Sequence, residues 1–103
     1  MPPEFRTRNL AVEFVKICLK IRTPQYLGDQ LQRAACSVAL NLSEGSAKNT
    51  RKDRHRYYRI ALGSFRETEA VLDIIGANDK ELIKVKKHLA GSLVNLCKST
   101  SSS

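Results

Sequence analysis

Residues 50–77 read TRKDRHRYYRIALGSFRETEAVLDIIGA, and their spacing decides the fold. Tyr58, Ala61, Leu62, Phe65, Thr68, Leu72 and Ile75 recur at steps of three and four, the period of one helix face rather than of a strand. The segment predicts a long third helix, from about Thr50 to Ala77, that opens with a strongly basic stretch. Asn49 or Thr50 can cap it, because a short side-chain oxygen meets the free N–H groups of a first turn. Gly63 lies in the interior, where glycine costs about 1 kcal/mol relative to alanine. A close approach of another backbone at Ala61-Leu62-Gly63-Ser64 is the expected reason for it.

The same period continues on both sides. Upstream, Leu10, Phe14, Ile17, Cys18 and Ile21 predict a first helix from about Thr7 to Arg22. It stops before Thr23-Pro24, where Thr23 is the expected cap and Pro24 the first-turn residue of a second helix. That second helix runs to about Ser43 or Glu44, with Gly45 as its expected stop. Its stripe of Leu27, Leu31, Ala34, Ala35, Val38 and Leu42 is widened by Cys36, Ala39 and Leu40, which predicts cover on more than one side, by the bundle and by another subunit. Downstream, Asn78-Asp79-Lys80-Glu81 offers a cap with Glu at the third position after it. Leu82, Val85, Leu89, Leu93 and Leu96 then mark a fourth helix ending near Lys98. Short connections return each helix beside its predecessor, so the expected fold is all-α, an antiparallel up-down-up-down four-helix bundle over residues 1–98. Residues 99–103, only Ser and Thr, are expected to form a flexible tail.

The 103 residues suffice for one small domain and one core. The longest stretch free of formal charge, Ala34 to Ser43, is ten residues, half of the roughly 20 that cross a bilayer. The opening Met1-Pro2-Pro3-Glu4 lacks the basic-then-apolar order of a secretory signal. Both features predict a cytoplasmic protein without a membrane partner.

Charge is the informative part of the composition. Eighteen Lys and Arg against ten Asp and Glu give a net charge of +8. Lys48, Arg51, Lys52, Arg54, Arg56 and Arg59 fall within twelve residues that hold one acid, Asp53, a local net charge of +5. On a helix Lys52, Arg56 and Arg59 share a face, with Arg66 seven residues further on, and such a row can meet successive phosphates. His55 and Tyr57, interleaved among them, can stack on unpaired bases. The competing reading is a solvated face that keeps the protein soluble, with Tyr57 and Tyr58 marking the core boundary. A second set, Lys80, Lys84, Lys86, Lys87 and Lys98, has no arginine and therefore no planar fork for phosphate, so solvation is its expected role.

The inventory for catalysis is thin. Cys18, Cys36 and Cys97 are far apart, form no CxxC, and read as reduced thiols packed as small hydrophobes. Glu69 falls close to the buried stripe, so it is expected either to pair with an arginine, Asn41 or Ser43, or to lie exposed at the stripe's edge. Glu44 and Glu67 raise a paired-carboxylate alternative, but neither His55 nor His88 stands three residues after an acid, as helical di-metal sites require. No GxSxG, GxxxxGK[ST] or HExxH occurs. Neither a catalytic set, a metal, a cofactor nor a small-molecule substrate is expected.

Asn41-Leu42-Ser43-Glu44-Gly45, then a Lys/Arg-rich turn, then Tyr58-Arg59-Ile60-Ala61-Leu62-Gly63-Ser64-Phe65-Arg66-Glu67-Thr68-Glu69 with Leu72, resembles a family signature, N-[IL]-x-E-G followed by A-x-G-S-x-x-E-x-E-x-x-L. The family comprises bacterial four-helix-bundle proteins encoded in intervening sequences of large-subunit (23S) ribosomal RNA genes. The resemblance implies a ring-like homopentamer with a basic surface suited to RNA or DNA, and kinship with accessory proteins of diversity-generating retroelements. It marks Asn41, Glu44, Gly45, Ala61, Gly63, Ser64, Glu67 and Glu69 as packing and assembly positions. A gene inside a ribosomal RNA locus need not encode a ribosome component. Two functions follow as expectations. The first is a non-enzymatic homo-oligomer that binds RNA or single-stranded nucleic acid through Lys48, Arg51, Lys52, Arg54, Arg56 and Arg59. The alternative is a protein-interaction scaffold whose charge serves solubility or an acidic partner.

Overall fold

Four helices account for nearly all of a computed structural model that describes residues 1–101: α1 (Pro3–Leu19), α2 (Gln25–Ser46), α3 (Arg51–Ile75) and α4 (Lys80–Thr100). Each packs on its neighbours in sequence and α4 closes back on α1, with α2 and α3 in the most extensive contact. The diagonal helices α1 and α3 meet only through side chains, Phe14 and Phe65 touching with ring centroids 5.5 Å apart and tilted by 47°. This is the antiparallel up-down-up-down bundle, and its centre is filled by Leu31, Leu42, Leu72, Leu82, Leu89 and Leu93 around those two rings. Cys18 and Cys97 are buried in it and Cys36 is half-buried, all as free thiols.

The caps of the second half of the chain follow from local sequence. Thr50 accepts a hydrogen bond from Asp53 N at 3.1 Å. At the far end of α3, Gly76 takes φ 80°, and Gly76 N and Ala77 N donate back to Asp73 O and Leu72 O. Only glycine adopts this left-handed turn without strain. Asp79, rather than Asn78, caps α4, its Oδ1 accepting from Glu81 N and Leu82 N.

Other boundaries differ from expectation. Helix α1 begins at Pro3 and ends at Leu19, three residues before Arg22. Thr7 is therefore a full turn inside the helix, completely buried, donating from Oγ1 to Pro3 O at 2.9 Å and hydrogen-bonded to Ser92 Oγ of α4. Pro24 lies outside α2 in an extended conformation, φ −52° and ψ 143°. Its carbonyl, not the Thr23 hydroxyl, receives the first N–H groups, from Leu27 and Gly28. Helix α4 continues through Ser99 and Thr100 because Thr100 is buried, donates to Leu96 O and is held across the bundle by His55 Nδ1 at 3.0 Å. Ser99 and Thr100 are thus helical rather than part of the flexible tail expected at 99–103, and residues 102–103 of that expectation lie outside the described residues.

The two interior glycines exchange roles. Gly45 does not stop α2, which runs on to Ser46. It is buried against α3, where an added Cβ would stand 2.8 Å from Tyr58 Cε1 and 3.0 Å from Tyr57 Cβ. Gly63, expected to admit a close neighbour, has nothing within 4 Å of its missing Cβ in its own chain. Tyr58 is 2% exposed and cannot swing aside. Gly45→Ala is therefore expected to lower stability by about 1–3 kcal/mol through overpacking, read as the shift of the urea midpoint. An unchanged midpoint would show that α2 and α3 can part at no cost.

Candidate nucleic-acid interface

Around the start of α3, capped by Thr50, the basic cluster stands at one end of the bundle, with Lys48 in the preceding loop and Arg56 and Arg59 in the next two turns. The six cations go three ways. Arg51 and Arg54 turn over the bundle end and line a shallow basin with Glu4, Tyr58, Leu96 and Thr100. There Arg51 Nη2 donates to Ser101 O at 2.6 Å, and Arg54 Nη1 donates to Lys48 O at 3.3 Å. Lys48 and Arg56 gather on Tyr57, 5.1 and 5.0 Å from its ring centroid, with Arg56 Nη2 donating to the Tyr57 hydroxyl. Lys52 is exposed between these groups. Arg59 turns the other way, toward α4.

This divergence follows from the 100° that each helical residue adds. Cations adjacent in sequence fan around α3, and only those at three, four and seven stay near one line. What unites the cluster is the shortage of acids. Among the described residues the one ion pair is Lys48 Nζ to Glu44 Oε1, 3.4 Å apart across one helical turn near the surface, and such a pair is worth about 0.3–0.5 kcal/mol. The five other cations have no carboxylate within salt-bridge distance among the described residues. Tyr57 is half-buried and its ring already carries two cations, so a stacked base has to displace at least one of them. His55 is engaged with Thr100.

Several motif positions, Asn41, Gly45, Ser64 and Glu67, lie in the α2–α3 seam, whereas among the described residues Glu44, Gly63 and Glu69 make no contact across it that ties them there. Asn41 Nδ2 donates to Ser37 O and Oγ at 2.8 and 3.0 Å, and Ser37 Oγ meets Ser64 Oγ at 2.8 Å. Gln30 Nε2 donates to Glu67 Oε2 at 3.3 Å. Ala61 is fully buried, while Gly45 admits Tyr58. Ser37, which joins the two motifs, and Gln30, which holds Glu67, carry no signal of their own in the sequence. Glu69 is half-buried, with no ion pair or hydrogen bond among the described residues. Glu44 and Glu67 are exposed, and no group of three metal-ligating side chains comes together among the described residues.

Lys98 belongs to the basic set read from sequence as solvating. It lines a groove of about 320 Å³ between α3 and α4, together with His55, Arg59, Arg66 and Cys97. No pattern within α4 signals this, because Lys98 meets the two arginines only through packing. Burial raises the Cys97 thiol pKa, with Arg59 and Arg66 pulling the other way. Cys18, deeper in the core, is pushed from 9.0 up to about 12, by burial first and by Cys36 second.

Fold and charge together define a small helical bundle with an uncompensated cationic end and no helix, among the described residues, long and apolar enough to cross a membrane. The model of the 23S rRNA-intervening sequence protein family matches residues 6–101, and the chain belongs to that family. Among curated proteins no match is found.

The thiols give a direct check on the core. Unfolded chain ionises Cys18 from about pH 9, whereas folded chain holds it protonated to about 12. The stability it contributes is intact below pH 9 and is lost as pH rises through that window. The urea midpoint is expected to fall above pH 9, and to fall less in Cys18→Ala. At pH 8 a disulfide reagent should label Cys36 first and Cys18 only on unfolding.

Proposed function

We propose that this chain is a non-catalytic, homo-oligomeric module of the cytoplasm that binds RNA or single-stranded nucleic acid through the cationic end of α3. The observation that carries the reading is that Arg51, Lys52, Arg54, Arg56 and Arg59, fanned around the start of α3, have no ion-pair partner among the described residues. A folded surface keeps such charges unneutralised at the cost of mutual repulsion, and a polyanion relieves it by releasing its own counterions. Arginine suits the task because its fork grips two phosphate oxygens at once.

Assembly is the second half of the proposal. Along α2, Tyr26, Arg33 and Leu40 recur at intervals of two turns, all exposed. Along α3, Ile60, Glu67 and Ile74 do the same, with Gly63 and Ala70 between them. The hydrogen bonds Gln30–Glu67 and Ser37–Ser64 stitch the helices together between these two rows. Tyr26, Leu40 and Ile74 are each about 70% exposed (73%, 68% and 70%), and these large apolar side chains, with Arg33 and Glu67 among them, support a second copy docking on this seam. Gly63 then offers its open backbone to that copy. The family resemblance implies five copies in a ring. Linked in one assembly, weak patches act together through effective concentration.

Binding of a labelled single-stranded RNA, followed by fluorescence anisotropy over a range of salt, tests the interface. The affinity is expected to fall steeply with salt, and Arg54→Ala with Arg56→Ala and Arg59→Ala should flatten the log–log slope by about 2, at about 0.7 for each phosphate no longer neutralised. Salt-independent binding that survives the triple variant overturns the reading. Sedimentation tests the assembly: the wild-type chain should run as an oligomer and a Leu40→Glu, Ile60→Glu variant as a folded monomer. A monomeric wild type removes this half of the proposal.

A further inference from the structure

The groove between α3 and α4 has the charge and shape of a ligand site, and it lies on the flank of α3 away from the seam assigned to assembly. Its floor is apolar, made by Leu62, Val94 and Cys97, and three permanent cations, Arg59, Arg66 and Lys98, surround it. Among the described residues no carboxylate lines it, and none of the three cations has an ion-pair partner. Both guanidinium groups act on the Cys97 thiol at the floor, so their charge reaches into the groove rather than only into solvent. An apolar floor under cations concentrates the field above it. Arg59 and Arg66 are two turns apart, about 10 Å along the axis, and the groove's 320 Å³ is at the small end of ligand-sized cavities.

We infer that this groove seats one nucleotide of a single strand, its flanking phosphates on Arg59, Arg66 and Lys98 and its base or sugar against Leu62 and Val94. The inference rests on the nucleic-acid reading above and adds two residues, Arg66 and Lys98, that lie outside the sequence cluster. A single strand is the fitting partner because its bases can leave the stack and enter a narrow cleft, whereas a duplex offers only its edges and phosphates. The path of the strand then runs from the cationic end of the bundle along the α3–α4 side, on the flank of α3 that the α2–α3 seam does not use.

Anisotropy with a labelled 20-residue oligouridine RNA separates the possibilities. Arg66→Gln with Lys98→Gln is expected to weaken binding tenfold or more at 0.1 M salt and to flatten the salt slope by about 1.4. A charge-matched control, Lys80→Gln with Lys84→Gln at the opposite end of α4, should change affinity less than twofold. Circular dichroism melting confirms that both variants fold, as expected for exposed positions. Equal losses in the two variants, or no loss in the first, overturn the groove assignment while the reading of the α3 cluster stands. Absence of any binding by the wild type overturns both. Uridine monophosphate is expected not to compete at equal nucleotide concentration, and competition there reassigns the groove to free nucleotides and overturns the strand.

Discussion

The ring of Tyr58 lies directly against the backbone of α2 at Gly45, and the rest of the bundle is arranged around that contact. A Cβ at residue 45 would stand 2.8 Å from the ring, so the two helices can meet this closely only because one residue has no side chain. From there the seam continues through Ser46 and the Tyr58 hydroxyl, through Asn41, Ser37 and Ser64, and on to Gln30 and Glu67. The helices are long, 22 and 25 residues, so a contact fixed near one end sets register along about 30 Å. The two halves of the family signature face each other across it.

That register also determines where the charge goes. With Tyr58 turned inward, Tyr57 is carried to the edge of α2, where Lys48 and Arg56 settle on its ring. Arg59, one residue beyond Tyr58, is carried toward α4 and joins Arg66 and Lys98. Arg51 and Arg54 are left over the bundle end, close to the last turn of α4, where the unpaired carbonyls favour cations. A cluster compact in sequence thus becomes a cationic rim around the start of one helix. Few acids follow it: Asp53 is the one acid in the first turn and Glu4 lines the basin with Arg51 and Arg54, whereas Glu67 and Asp73 lie further along α3, on the exposed side. The helix is polarised along its length, basic at its start and acidic in its second half.

Features governed by neighbouring residues were legible. The number of helices, the cap at Thr50 and the cationic cluster depend on interactions within one or two turns, and these are written directly in residue order. The buried stripe of α2, Leu31, Ala34, Ala35, Val38 and Leu42, was legible too. Those governed by distant partners were not. Thr7 looks like a helix start until Ser92, 85 residues away, takes its hydroxyl. Thr100 looks like tail until His55 reaches it across 45 residues. Lys98 looks like one of five solvated lysines until α3 places two arginines beside it.

The sequence by itself determined that this chain folds as four amphipathic helices with an excess of cations at the start of the third, since periodicity and local charge are properties of residue order. Tertiary structure alone decided which glycine admits a neighbour and which cations share a groove. Clearance around a missing Cβ, and the field above an apolar floor, depend on which surfaces meet, and that is set by the register of α2 against α3.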